Sequence, residues 1–185
     1  MDEAMWAFGR VSGFISLILF TGSVLLGILT RSGRPLLVLP RFSITLLHRN
    51  ISVLATVFLG LHVGSLLLDS YARLNVVDVL VPFLGSYRPF WQGLGTAALD
   101  LVLAIVVTGL LRQRIGQRTF RAVHWLSYAM WPVALAHAIG NGTDGTSKWF
   151  LALAAVSVLA VGGAVLWRAS SGFLETSKAR QGGLL

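Results

Sequence analysis

Four histidines carry the chemistry that this sequence can do: His48, His62, His124 and His137. Imidazole nitrogen is a common metal ligand. There is no cysteine, so disulfides, thiolate metal sites, iron–sulfur clusters and cysteine-attached heme are excluded. Each histidine falls in a stretch apolar enough to cross a bilayer, His48 and His62 in 44–68, His124 and His137 in 119–139. If both stretches run in one direction, His48 shares a leaflet with His124, and His62 shares the other with His137. At 1.5 Å of rise per residue the two layers lie about 20 Å apart. That separation excludes one four-histidine centre and suits two stacked sites of two histidines each. Two imidazoles on facing helices are what bis-histidine ligation of heme iron requires, and here the heme must be held noncovalently. A single intramembrane histidine can equally serve as a hydrogen-bonding link between helices. Two leaflet-matched pairs favour the metal. The helical phase fits only in part: 14 residues return within about 40° of the same face, but 13 miss it by about 140°. Pro132 lies between His124 and His137 and is expected to kink that helix and shift its phase.

The rest of the chain is built to position those helices. Of 185 residues, 55% are hydrophobic and 12% charged, with a mean hydropathy of +0.76. A soluble domain carries roughly twice that charge. The apolar content gathers in blocks near the ~20 residues a membrane helix needs. The expected fold is an all-α membrane protein, a five-helix transmembrane bundle with spans at about 11–30, 44–68, 93–111, 119–139 and 149–168. Residues 76–84 form an apolar stretch suited to the membrane interface. The net charge of +8 does not point to nucleic acid, because the arginines sit in short connections between apolar blocks. Arg31, Arg34, Arg41 and Arg49, then Arg112, Arg114, Arg118 and Arg121, then Arg168, Lys178 and Arg180 fall on one side. Arg10, Arg73, Arg88 and Lys148 fall on the other, diluted by acidic residues. The positive-inside rule makes the first side cytoplasmic, with the N-terminus outside and the C-terminus inside. Trp6, Trp91 and Trp149 at outer ends and Trp125 and Trp167 at inner ends fit aromatic belts. The acidic start, Met1-Asp2-Glu3, lacks the basic region of a secretory signal, so the first block is expected to stay as a helix.

Heme propionates want cations or hydrogen-bond donors. Arg10, at the outer end of the first span, is a candidate cofactor-binding residue for an outer heme, or else an interfacial snorkelling side chain. Arg49 and Arg121 are inner candidates, although the positive-inside role already accounts for them. Gly60 and Gly64 flank His62 and would leave room for a porphyrin or for bare helix packing. Asp100 stands inside the third span and wants a partner, such as Arg10, or a proton. Trp131 lies between the two histidine layers by residue count, as a core aromatic or as packing between hemes.

The paired motifs His48-x13-His62 and His124-x12-His137 resemble the ferric-reductase-like transmembrane domain, shared by NADPH oxidases, ferric reductases and bacterial heme membrane subunits. Arg10-x-x-Gly13, Leu61-His62-Val63, Pro82-Phe83, Tyr87-Arg88-Pro89 and Gly140-Asn141-Gly142-Thr143-Asp144 extend the resemblance over roughly 10–168. It implies two b-type hemes, His48 and His124 holding the inner iron, His62 and His137 the outer. Past the last span the sequence holds a short tail, with no flavin- or NADPH-binding segment and no glycine-rich dinucleotide fingerprint. The expected donor is therefore a separate flavoprotein reductase or a quinol. Bacterial relatives of this size imply an extracytoplasmic acceptor such as a flavin-binding or methionine-sulfoxide-reducing protein. The chain is expected in a cell membrane, a bacterial inner membrane, as the heme subunit of an oxidoreductase. A single-heme reductase subunit and a heme-free transporter or assembly subunit are the alternatives.

Overall fold

The computed structural model describes residues 2–32, 40–69, 74–173 and 175. Arg34, Pro35, Arg73, Lys178 and Arg180 lie outside the described residues. The elements are α1 (Asp2–Ser32), α2 (Arg41–Leu68), α3 (Val76–Leu80), α4 (Pro89–Leu110), α5 (Arg112–His124), α6 (Ser127–Asn141) and α7 (Lys148–Ala169). Four of them, α1, α2, α4 and α7, are long and apolar enough to cross a membrane.

Sequence and structure part ways at the fourth expected span. Residues 119–139 do not form one helix. They divide at Trp125 and Leu126 between α5 and the 15-residue α6. The divide is a tight turn in which Leu126 bonds back to Val123, Tyr128 to Trp125 and Ala129 to Leu126. Such i to i−3 bonding winds about 120° per residue instead of about 100°. Three such steps advance the phase by roughly 60°, which turns His137 part of the way across the ~140° that the 13-residue spacing leaves between it and the face of His124. Pro132 sits within α6, downstream of the break, so the phase shift does not start at the proline. Residues 112–118, expected as a loop, belong to α5, which has no buried residue and is interrupted by Gly116 at φ 81°. Only glycine takes that conformation cheaply. Its arginines, Arg112, Arg114, Arg118 and Arg121, are all exposed. Within the apolar stretch 76–84, Val76–Leu80 folds as α3, whose N-terminus is closed by a reciprocal Asn75–Asp78 capping box.

α1 is the spine of the bundle. It lies along α2 and also touches α6 and α7, while α4 packs on α6 and α5. Ser12, Ser16, Ser23, Ser65 and Ala55 are buried, and small residues of this kind let membrane helices approach closely. Ser16 donates to Ala55 O at 3.0 Å, and Ser23 and Ser52 hydroxyls meet at 2.7 Å. The core combines Phe20, Val24 and Ile28 with Val102, Met130, Trp131, Leu135 and Val161. The exterior is apolar as well: Leu68, Leu110, Leu159 and Leu166 are largely exposed. A water-soluble monomer rarely shows so continuous an apolar surface, whereas lipid accepts it.

Candidate heme-binding site

At the basic end of the bundle α2 and the end of α5 bring His48 and His124 together, ring centroids 6.3 Å apart and planes at 87°. A metal–nitrogen bond of about 2 Å on each side of one iron separates two axial imidazole centres by about 6 Å. The His48 Nδ1–H donates to Ser23 O at 2.9 Å. A carbonyl can only accept, so the ring proton is on Nδ1 and the Nε2 lone pair is free. His124 Nδ1 is buried and has no hydrogen-bond partner among the described residues.

At the opposite end α1, α2, α4 and α6 surround His62 and His137. His62 Nδ1–H donates to Gly9 O at 2.7 Å, and His137 Nδ1–H donates to Trp91 O at 2.8 Å. Both imidazoles face a cavity of about 910 Å³, lined also by Arg10, Phe14, Leu99, Val102 and Asp144. That is the scale of a cavity for a large organic cofactor. Gly85, Ser86 and Tyr87, in the loop before α4, line it. Phe83 and Arg88 both take positive φ, 69° and 43°, a strained state for side-chain-bearing residues. Phe83 is held in the space that a side chain at Gly93 would fill, and Arg88 donates to Gly140 O at 2.8 Å.

The donor set fits heme. Metal-ligating histidines usually donate the second ring N–H to a carbonyl, which fixes the tautomer and the ring orientation. Three of the four histidines do so. No group of three or more His, Asp or Glu ligands forms among the described residues. Three glycines make room for the rings: a Cβ on Gly13 would meet His62, one on Gly27 would meet His48, and one on Gly95 would meet His137. Gly60 and Gly64, the small residues that flank His62 on its own helix, face open space, and a Cβ on either meets nothing among the described residues. Gly13 and Gly27 are spaced as His48 and His62 are, the mark of antiparallel register between α1 and α2.

Arg10 lines the same cavity as His62 and His137, ion-paired with Asp144 and stacked 4.3 Å from the Trp6 ring. It does not pair with Asp100. That carboxylate is exposed on α4 and has no hydrogen bond or ion pair among the described residues. Trp131 is buried between the layers and donates its indole N–H to Thr21 Oγ1 at 2.9 Å. Of the inner cation candidates, Arg49 is exposed, and Arg121 is exposed and bonds only to Gln117 O of its own helix. Arg168 lies over the Trp125 ring, next in sequence to His124, and both it and Arg31 act on His124 electrostatically. Sequence reasoning gave both only a topological role.

Residues 12–135 match the family described as ferric reductase like transmembrane component. Nothing among curated proteins or solved structures matches the chain.

Proposed function

The chain belongs to the ferric reductase-like transmembrane component family, and from that premise we propose that it moves electrons across a membrane through two bis-histidine b-type hemes. The observation that carries this is the set of Nδ1–H bonds from His48, His62 and His137 to backbone carbonyls of other helices. Each leaves Nε2 unprotonated and held in place, which is how a histidine is prepared for iron. When bound, the hemes would supply one-electron carriers in each leaflet, linking a cytoplasmic or membrane donor to an extracytoplasmic acceptor. His48 and His124 would hold the iron at the basic end, His62 and His137 the iron at the other. Arg10, with donors to spare beyond its Asp144 bond, would meet a propionate at the outer cavity. Phe14, Leu99 and Val102 line that cavity and keep water from the ring faces.

The basic end is taken as cytoplasmic by the positive-inside rule, which makes transfer outward. The donor is a separate flavoprotein reductase or a quinol. The acceptor is an extracytoplasmic protein, a flavin-binding or reductase partner. The chain is a multi-pass membrane protein by its helices and family, and we assign it to a bacterial inner membrane. One observation favours a single-heme variant of this function: the large cavity includes His62 and His137 but not His48 and His124. Heme per purified chain decides between the two. About two low-spin b-type hemes per chain are expected, one in the variant, and a chain without a Soret band rules out both.

A further inference from the structure

Asp100 stands at the middle of α4, eleven residues after Pro89 and ten before Leu110. At 1.5 Å of rise per residue either end of the helix is about 15 Å away. The short aspartate side chain cannot snorkel that far, as lysine and arginine do near helix ends. Leu99 and Val102 line the cavity, whereas Asp100, Leu103, Val107 and Leu110 are exposed on the outside of the bundle. Gly95, which lies against His137, marks the depth. Asp100 is five residues further toward the basic end, between the two histidine layers. A carboxylate is among the costliest groups to leave in lipid at mid-depth, and such groups are almost always paired.

The chain supplies no partner among the described residues, where Asp100 has neither hydrogen bond nor ion pair. α4 and α6 hold no cation. Those of α1, α2 and α7 (Arg10, Arg31, Arg41, Arg49, Lys148 and Arg168) stand in the first or last third of their helices. Asp100, Leu103, Val107 and Leu110 follow one another by three, four and three residues, the seam spacing of two packed helices. Gly93 and Thr96 continue that spacing toward the start of α4, and there the chain covers it. Phe83 fills the space at Gly93, and Thr96 Oγ1 donates to Asp78 O of α3 at 2.7 Å. The cover ends one turn before Asp100. A second copy of this chain is a poor occupant for the rest, because a two-fold contact sets Asp100 against Asp100, and like charges repel.

We propose that this face of α4 docks a transmembrane helix of another protein, one that carries a lysine or arginine at mid-depth and pairs it with Asp100. Lipid satisfies neither charge, so their meeting fixes both the depth and the choice of partner. The leucines and Val107 supply the packing on one side of the pair. The docked helix lies beside the interval between the histidine layers and touches neither.

The test uses the full chain in lipid vesicles, labelled through a cysteine added at the C-terminus. The probes are labelled polyleucine transmembrane peptides, one with a single central lysine, one with that lysine at its end, and one with none. Energy transfer should show the central-lysine peptide binding about tenfold more tightly than the other two, the worth of a polar contact between membrane helices. Asp100→Leu should abolish that preference, and Asp100→Asn should keep part of it. Because Asp100 touches nothing in its own chain, Asp100→Leu should melt no lower than wild type. No preference for the central lysine, or a preference that survives Asp100→Leu, would overturn the proposal. A lower melting temperature in Asp100→Leu would do the same, by revealing a partner within the chain. Energy transfer between two labelled copies that Asp100→Leu removes would make a second copy the occupant and overturn the basic helix.

Discussion

Alanine at the three ring-facing glycines tests the ligand geometry while leaving every histidine in place. A Cβ on Gly95 would come 2.6 Å from Cε1 and 2.7 Å from Nδ1 of His137, and one on Gly13 would come 2.7 Å from Nδ1 and 2.9 Å from Cε1 of His62. On Gly27 the nearest atom is His48 Cε1 at 3.3 Å. Ordinary contacts between such atoms are about 3.5–4.0 Å. The first two substitutions therefore force a ring to retreat by about 1 Å, the third by a few tenths. A 1 Å retreat takes the Nδ1–H bonds to Gly9 O and Trp91 O, now 2.7 and 2.8 Å, past the ~3.5 Å at which they count as bonds. Losing such a bond and overpacking the helix pair cost about 1–3 kcal/mol each. Losing the support of a metal ligand typically costs about 10- to 100-fold in affinity. Alanine favours a helix interior over glycine by up to about 1 kcal/mol, so helix propensity works against a loss and cannot cause one. Gly13→Ala and Gly95→Ala should shed the outer heme and keep the inner, while Gly27→Ala stays near wild type. Heme-to-protein ratios and low-spin electron paramagnetic resonance signals read this directly. Full outer heme in both of the first two variants, or a larger loss in Gly27→Ala, would refute the reasoning.

His62→Ala or His137→Ala should remove the outer heme and leave much of the inner, and His48→Ala or His124→Ala the reverse. Full heme in all four variants, by pyridine hemochrome assay, would rule out these ligands. Arg10→Ala should lower the outer midpoint potential by a few tens of millivolts, because it removes a half-exposed cation and leaves Asp144 unpaired; Arg10→Ala with Asp144→Asn should return it toward wild type in a redox titration. The inner heme should have the higher potential of the two, because His124 lacks the Nδ1–H bond that makes a histidine a stronger donor and Arg31 and Arg168 stand close by; a lower inner potential would contradict this. In oriented vesicles with reductant at the basic face, an impermeant acceptor on the other face should be reduced, with little NADPH oxidation by the chain alone; fully loaded vesicles that pass no electrons would remove the conduit.

What could be read from the sequence was what lies along one helix. His48 and His62 share α2, so spacing and rise placed them in two layers without knowledge of the neighbours. The apolar blocks and the sidedness of the arginines were equally local. What escaped depends on contacts between helices or on a break with no marker. Trp125-Leu126-Ser127 holds neither glycine nor proline, so nothing local announces the turn there, and Pro132 drew attention to the wrong place. Gly95 meets His137 across α4 and α6, and no spacing within either helix reveals it. Arg168 reaches the surroundings of His124 from α7, and the sign of its charge was already explained by topology.

The two ends of the bundle are built unlike each other, and the difference bears on how electrons could leave. At the end opposite the basic one both histidines give Nδ1–H to carbonyls, which raises their basicity and would favour ferric iron in a heme held there. At the basic end His124 lacks that bond and Arg31 and Arg168 act on it electrostatically, which would favour ferrous iron in a heme held there. Taken alone this opposes outward transfer. For scale, a unit charge about 10 Å from a redox centre at an effective dielectric of about 20 would be worth roughly 1–2 kcal/mol, or several tens of millivolts for one electron. The membrane potential acts the other way, contributing about 2.3 kcal/mol per 100 mV for a full crossing by an electron. The histidine layers, about 20 Å apart in a core of about 30 Å, span two thirds of that field. The step between them therefore gains about 1.5 kcal/mol per 100 mV, which offsets an inner site of higher potential. An energised membrane would then drive electrons outward, and a collapsed one would hold them at the basic end.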